Sequence, residues 1–274
     1  DIESNDRYTF IKGDICDTTT VNEIMKASDA VVHFAAESHV DNSIKSADDF
    51  IRTNVQGTHV LLKAAKENKN IKRFVHISTD EVYGSIEKGS FKESDALHPN
   101  SPYSASKAGA EMLATAFYSK FGLPVIITRS TNNFGPNQYP EKVIQLLVTN
   151  AIDGREVPLY GDGLNVRDWL FVKDNCEAID FVLQKGAVGE TYNIGAGHEL
   201  ANIELTKKIL KLCGRPESLI KPVKDRPGHD RRYSVDTAKI KKLGWVPRQS
   251  FNDALAETIN WYRSNEEWWR KLKK

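Results

Sequence analysis

Residues 73–84 read RFVHISTDEVYG. A largely apolar run ends at Ser78 and Thr79, and two adjacent carboxylates, Asp80 and Glu81, follow before Val82. Such a run, closed by the turn residue Gly84, predicts a buried strand over 73–78. The same pattern recurs on either side, with strands predicted over 8–11, 30–34 and 125–129. Helices are predicted over 21–27, 50–68 and 101–121, the second showing a three-to-four residue period through Val55, His59, Leu62 and Ala65. Short apolar runs alternating with amphipathic segments predict βα units, hence an α/β fold with a doubly wound parallel sheet. Ligands of such sheets lie beyond the carboxyl ends of the strands, so the loops after Phe34, Ser78 and Arg129 are expected to converge.

The rhythm changes past residue 131. Residues 132–141 hold Gly135, Pro136 and Pro140 and predict a long functional loop. Helices follow over 143–152, 174–184, 203–212 and 251–271, with strands over 157–160, 168–172 and 191–194. The 274 residues carry 38 Lys+Arg against 37 Asp+Glu, a net charge of +1, which excludes a globally basic nucleic-acid binder. No stretch approaches the roughly 18 to 20 apolar residues of a membrane helix. The three cysteines, Cys16, Cys176 and Cys213, are far apart and form no CxxC, which fits a reducing, cytoplasmic compartment. The residue pairs His198-Glu199 and His229-Asp230 lack zinc-ligand spacing, so no metal is expected.

Two segments carry chemistry. Tyr103 and Lys107 are four apart on a predicted helix, so phenol and ammonium share a face. A tyrosine base at neutral pH needs its pKa lowered by about three units, roughly 4 kcal/mol, which a neighbouring ammonium and a bound cation in a dry site supply. An incidental pair on an amphipathic helix is the plainer reading of this spacing alone. Asp80 and Glu81, directly after a strand, form a pair whose pKa values can be driven apart to give one acid and one base. Here the plainer reading is a helix N-cap by Thr79 or Asp80.

Together these segments resemble the extended short-chain dehydrogenase/reductase family of nucleotide-sugar enzymes. The likeness runs through STDEVYG (78–84), PYSASKAGAE (102–111), HFAAESHVDNSI (33–44), RSTNNFGPNQYPEKVI (129–144), PLYGDGLNVRDW (158–169), YNIGAG (192–197) and DRPGHDRRY (225–233). The Thr79-Asp80-Glu81 triplet resembles the 4,6-dehydratase branch rather than the epimerases or decarboxylases, with Asp80 the discriminating residue. The resemblance implies a Rossmann-like fold, NAD as cofactor, dTDP-glucose as substrate, a homodimer, and a hydro-lyase reaction in deoxysugar synthesis, for instance of dTDP-rhamnose. It implies oxidation at C4, loss of water across C5 and C6, and hydride return to C6. Tyr103 takes the 4-OH proton, Lys107 lowers the Tyr103 pKa and holds the nicotinamide ribose, and Thr79 bonds the C4 oxygen. Glu81 removes the C5 proton while Asp80 protonates the departing hydroxyl.

Binding positions carry over in the same way. Asp14 and Ile15 match the adenine contacts, and Phe34, Ala35, Ala36 and Ser38 the cofactor-lining loop. Thr53, Tyr103, Lys107 and Asn133 match further cofactor contacts. Ser38, His39, Thr79, Asn132, Lys142, Val143, Pro158, Tyr160, Arg167, Asn202, Arg226 and His229 match positions for the sugar nucleotide. Asp14 could simply close a turn, Asn202 cap a helix and Lys142 face solvent. Residues 1–131 plus about 163–195 are expected to form the NAD-binding core, and 132–162 plus 196–274 the sugar-nucleotide domain.

The family opens with a strand, a glycine-rich turn and a helix that receive the dinucleotide, roughly 30 to 50 residues as a βαβ unit. That pattern is not in this sequence, where Gly13 stands alone. Asp1 is therefore expected to be an interior residue of a longer protein, and an isolated fragment is expected neither to bind NAD nor to turn over.

Overall fold

A computed structural model describes residues 2–225 and 228–273. Its main sheet holds four parallel strands in the order β1-β2-β3-β7: β1 (Ala30–His33), β2 (Arg73–Thr79), β3 (Val125–Ser130) and β7 (Thr191–Ile194). The interior strands β2 and β3 are buried along nearly their whole length, as their largely apolar runs require. Helices α1 (Thr18–Lys26), α4 (Thr58–Glu67) and α5 (Pro102–Phe121) cover one face, around a core that includes Leu62, Phe74, Ala114, Phe117 and Ile127. Helix α7 (Val172–Lys185) covers the other, with Val75, Ile126, Ile179 and Ile194 packed between.

A second layer holds β4 (Asn132–Phe134), β6 (Val166–Phe171) and β8 (Glu199–Ala201), and a two-stranded ribbon of β5 (Val157–Tyr160) with β9 (Ile220–Val223). Helices α6 (Val143–Asp153), α8 (Asn202–Cys213), α10 (Phe251–Ser264) and α11 (Glu266–Leu272) pack there around Phe134, Leu147, Leu205, Ile259 and Trp269. Short helices α2 (Val40–Lys45), α3 (Asp48–Phe50) and α9 (Ala238–Leu243) complete the chain.

Several expectations need correction. Residues 8–11 form no strand: their backbone has no ladder partner among the described residues, and Phe10 is 73% exposed. Beside them the outer edge of β1 is unpaired among the described residues. An apolar groove of about 320 Å³, lined by Ile11, Ile15, Ile24, Met25, Val31 and Leu61, runs along it. The helix expected over 50–68 is interrupted, because Ile51–Gly57 takes a π-helical turn before α4 begins. The loop expected over 132–141 contains β4, which pairs in parallel with β6 (Asn132↔Trp169, Phe134↔Phe171). The expected closing helix is two, since Asn265 leaves helical geometry at φ −125° and caps α11. Among the described residues no helix is long and apolar enough to cross a membrane.

Candidate active site

Strand β2 delivers Ser78 and Thr79 to the end of the sheet, and the next four residues, Asp80–Tyr83, wind into a tight 3₁₀ turn. The Thr79 hydroxyl accepts from the Glu81 N–H at 3.2 Å, the capping role anticipated for it, and donates to Asp80 Oδ1 at 3.2 Å. Gly84 ends the turn at φ +80°, where a Cβ would stand 2.4 Å from the His98 carbonyl oxygen. The carboxylates are thus fixed by local geometry at both ends of the turn.

Helix α5 starts just as firmly. Ser101 and Ser104 form a capping box, with Pro102 in the first turn. Tyr103 and Lys107 follow on one face. Lys107 is buried, and its Nζ donates to the Ile77 carbonyl at 2.6 Å, tying α5 to β2 just before the acid pair. Burial lowers its pKa to about 8 against the opposing pull of Glu111. The Tyr103 phenol is pushed well above its ordinary value by burial, then by the charge of Glu81, with Asp80 adding to this and the Thr79 hydroxyl opposing it. Lys107 is not among these influences. Burial, then the neighbouring charge of Glu81, holds Asp80 well above the usual carboxylate range, with Arg167 pulling the other way and Asp168 adding to the rise. The pair is thus two adjacent carboxyl groups of which Asp80 has a raised pKa.

Loops from three directions meet here. Asn54, on the π-helical turn, clasps the 34–38 loop by accepting from Glu37 N (2.8 Å) and donating to Glu37 O (3.0 Å). It also donates to Ser106 Oγ on α5 at 2.8 Å. Lys142 precedes α6 and donates to the Ser38 carbonyl at 2.7 Å, so it is no mere solvated helix residue. His39 lies 3.7 Å from Glu141. Arg167, on β6, donates to the Asp230 carbonyl at 2.8 Å and stacks over the Tyr233 ring at 4.2 Å. Glu81, Asn100, Asp230 and Tyr233 line one cavity of about 70 Å³.

The remaining predicted positions form two outlying groups. Asp14 Oδ1 accepts from Cys16 N at 2.8 Å and its other oxygen from Arg52 at 2.6 Å, so the turn-closing role holds; the Cys16 N–H, then Arg52, keeps its carboxyl low. Ile15 packs against Gly57, next to the turn that carries Thr53. At the far end, Pro158 and Tyr160 share one face of β5. The backbone there approaches Asp225, whose carboxylate pairs with His229 Nδ1 at 2.6 Å. Phe34, Ala35 and Val143 are exposed, with Ala36 partly so. Asn202 opens α8 without capping it, contrary to the plainer reading. Arg226 lies outside the described residues.

Seven polar atoms at predicted positions or directly beside them are buried without a hydrogen bond: His39 Nδ1, Ser78 Oγ, Asp80 Oδ2, Thr131 Oγ1, Asn132 Oδ1, Asn133 Oδ1 and Asn202 Oδ1. Buried polar groups are ordinarily satisfied, so such a set marks a place for a polar ligand. Asn54, Asp168 and Tyr233 were not anticipated. Asn54 is a buried amide within an apolar helical period, a signal the sequence does contain.

The family model described as GDP-mannose 4,6 dehydratase matches residues 1–258. The chain belongs to this family of nucleotide-sugar dehydratases. It is 54% identical over 267 residues to a dTDP-glucose 4,6-dehydratase of Streptomyces niveus, covering 97% of this chain and 79% of that protein. The fold matches a crystal structure of the Streptomyces venezuelae dTDP-glucose 4,6-dehydratase DesIV, a double mutant with NAD bound. That match has TM-score 0.98 and 51% identity, over 99% of this chain and 84% of that one. The Bacillus anthracis dTDP-glucose 4,6-dehydratase, solved in complex with NAD, matches with TM-score 0.93 and 48% identity, over 99% and 85%. Family membership accounts for the resemblance read from the motifs and for the α/β, Rossmann-like sheet.

Proposed function

We propose that this chain dehydrates dTDP-glucose to dTDP-4-keto-6-deoxyglucose, as an NAD-dependent hydro-lyase of deoxysugar synthesis. The observation that carries the reading is the Asp80–Glu81 turn set against the Tyr103–Lys107 face of α5, with burial and the Glu81 charge raising the Asp80 pKa. An acid–base pair beside a tyrosine–lysine pair suits an elimination coupled to a redox step.

The residues divide the work. The Tyr103 phenol takes the proton of the sugar 4-OH, the Thr79 hydroxyl bonds the C4 oxygen, and Lys107 would hold the nicotinamide ribose. Glu81 removes the C5 proton, acidified by the 4-ketone, while Asp80 protonates the departing 6-hydroxyl, so water leaves. The chemistry NAD supplies when bound is a hydride sink at C4 and a hydride source at C6. Asp14, Ile15, the 34–38 loop, Thr53, Lys107 and Asn133 would hold it; the bare Asn133 Oδ1 and Ser78 Oγ suit such a polar guest. Arg167, Lys142, His39, Asn132, Asn202, Val143, Pro158, Tyr160, Arg226 and His229 are assigned to the sugar nucleotide, Arg suiting a pyrophosphate by its fork and Lys as a point charge. Residues 1–131 with about 163–195 serve the dinucleotide, and 132–162 with 196–274 the substrate. Incubating the full-length protein with dTDP-glucose is expected to yield a 4-keto-6-deoxy product by mass spectrometry, about 18 Da lighter by loss of one water. An unchanged or epimerised sugar sinks the reading.

We also infer a homodimer in a reducing, cytoplasmic setting. Ile51, on the π-helical turn, and Met112, on α5, expose 56% and 52% of their surface, apolar area that a second copy would cover. Cys16, Cys176 and Cys213 are all unpaired thiols. Light scattering should report a dimer, and Met112→Glu should shift it toward monomer; a monomeric wild type refutes the pairing.

A further inference from the structure

The stripe of α5 that carries Tyr103 and Lys107 continues, one turn on, into Glu111, which is fully buried. Arg129, near the end of β3, forks onto it: Nε lies 3.0 Å and Nη2 2.7 Å from Oε2. The third nitrogen, Nη1, donates to the Tyr83 hydroxyl at 2.6 Å. That hydroxyl donates in turn to Asn193 Oδ1 on β7 at 2.8 Å, and the ring stacks on Phe91 with centroids 4.9 Å apart and planes at 9°. Tyr83 is the last residue of the turn that begins with Asp80 and Glu81.

A buried ion pair is a weak source of stability, because desolvation offsets most of its attraction. What this pair supplies is a fixed connection between two catalytic elements that come from separate parts of the chain. On one side stands the helix of Tyr103 and Lys107. On the other stands the turn of Asp80 and Glu81. Neither Glu111, Arg129 nor Tyr83 has a part in binding or chemistry in the function proposed above.

We propose that Glu111 and Arg129, acting through Tyr83, are positioning residues that hold the acid–base turn in register with the Tyr103–Lys107 helix for the elimination step. The inference rests on the dehydratase reading. Tyr83→Phe removes one oxygen and keeps the stacked ring. It is expected to lower kcat by about 10- to 10²-fold, up to the cost of a misplacement of about 1 Å, and to leave the KM for dTDP-glucose within about twofold. With substrate deuterated at C5, the isotope effect on kcat should rise above that of the wild type, since proton removal by Glu81 becomes the slow step. Amide hydrogen exchange should quicken over residues 81–84 and stay unchanged over 103–114. Arg129→Lys keeps the charge and loses the fork, so it should give the same signature. A variant with lowered Tm but wild-type isotope effect and wild-type exchange at 81–84 overturns the positioning role and leaves the dehydratase reading intact. Wild-type enzyme that forms no 4-keto product overturns both.

Discussion

Tyr103→Phe is expected to lower kcat by about 10² to 10⁴-fold, the usual worth of a positioned proton-transfer group. The variant should still fold. The ring keeps its edge contact with Phe50 at 6.3 Å between centroids, and α5 keeps its capping box and its Lys107 bond to Ile77. The direction of the loss follows from electrostatics. Burial and the Glu81 charge raise the phenol pKa, so the hydroxyl holds its proton until cationic charge arrives beside it. Lys107 is not among the groups that set this pKa, and its own charge, with a pKa lowered to about 8, fades on the alkaline side. Steady-state kinetics with dTDP-glucose, alongside thermal melting, provide the check. A loss smaller than tenfold with an unchanged Tm would remove Tyr103 from the chemistry.

The parts of the fold legible in the sequence are those whose local signal and tertiary partner agree. Strands β2 and β3 read clearly because largely apolar runs between turn residues are what an interior strand of a parallel sheet needs. Residues 8–11 carry the same kind of signal, yet a strand exists only in a ladder, and none is offered to them among the described residues. The π-helical turn at Ile51–Gly57 escaped because one extra residue per turn barely disturbs a three-to-four residue count. Its cause is tertiary: Asn54 must reach both Glu37 and Ser106, and Gly57 must admit Ile15. Strands β4, β8 and β9 are three or four residues long, so pairing rather than pattern defines them.

The candidate site divides along the same line. Asp80–Glu81 and Tyr103–Lys107 were readable because their chemistry sits in residue type and short spacing, which survive without coordinates. The groups that hold them in place were not, although they left traces. Arg129 interrupts the apolar run VIITRS, and Glu111 stands between Ala110 and Met112 in the otherwise uncharged segment 108–119 of α5. A charge in such a place calls for a buried partner, but the sequence does not say which. Eighteen positions separate the two, and the sheet brings them together.

Asp80→Asn and Glu81→Gln are each expected to cost about 10² to 10⁴-fold in kcat, with substrate KM nearly unchanged, and they should differ in their pH profiles. Asp80 must carry a proton to release the 6-hydroxyl as water. Its pKa stands well above the ordinary carboxylate value, chiefly through burial and next through Glu81, so the proton is present at acidic pH and lost as pH rises through that raised value. Lys107 also loses its proton on the way up, near pH 8. The wild-type rate should therefore fall on the alkaline side with contributions from both groups. Asp80→Asn deletes one of them, leaving a shallower alkaline limb set by Lys107 on a much lower plateau. Glu81→Gln removes the negative charge that helps hold the Asp80 proton. The Asp80 pKa should then drop, and the alkaline fall should begin at lower pH than in the wild type. Glu81→Gln should also abolish exchange of the C5 hydrogen into deuterated water, whereas Asp80→Asn, which leaves the Glu81 base in place, should permit it. Product formation and C5 exchange, followed from pH 5 to 9, test the assignment. Exchange retained in Glu81→Gln and lost in Asp80→Asn would reverse the two roles.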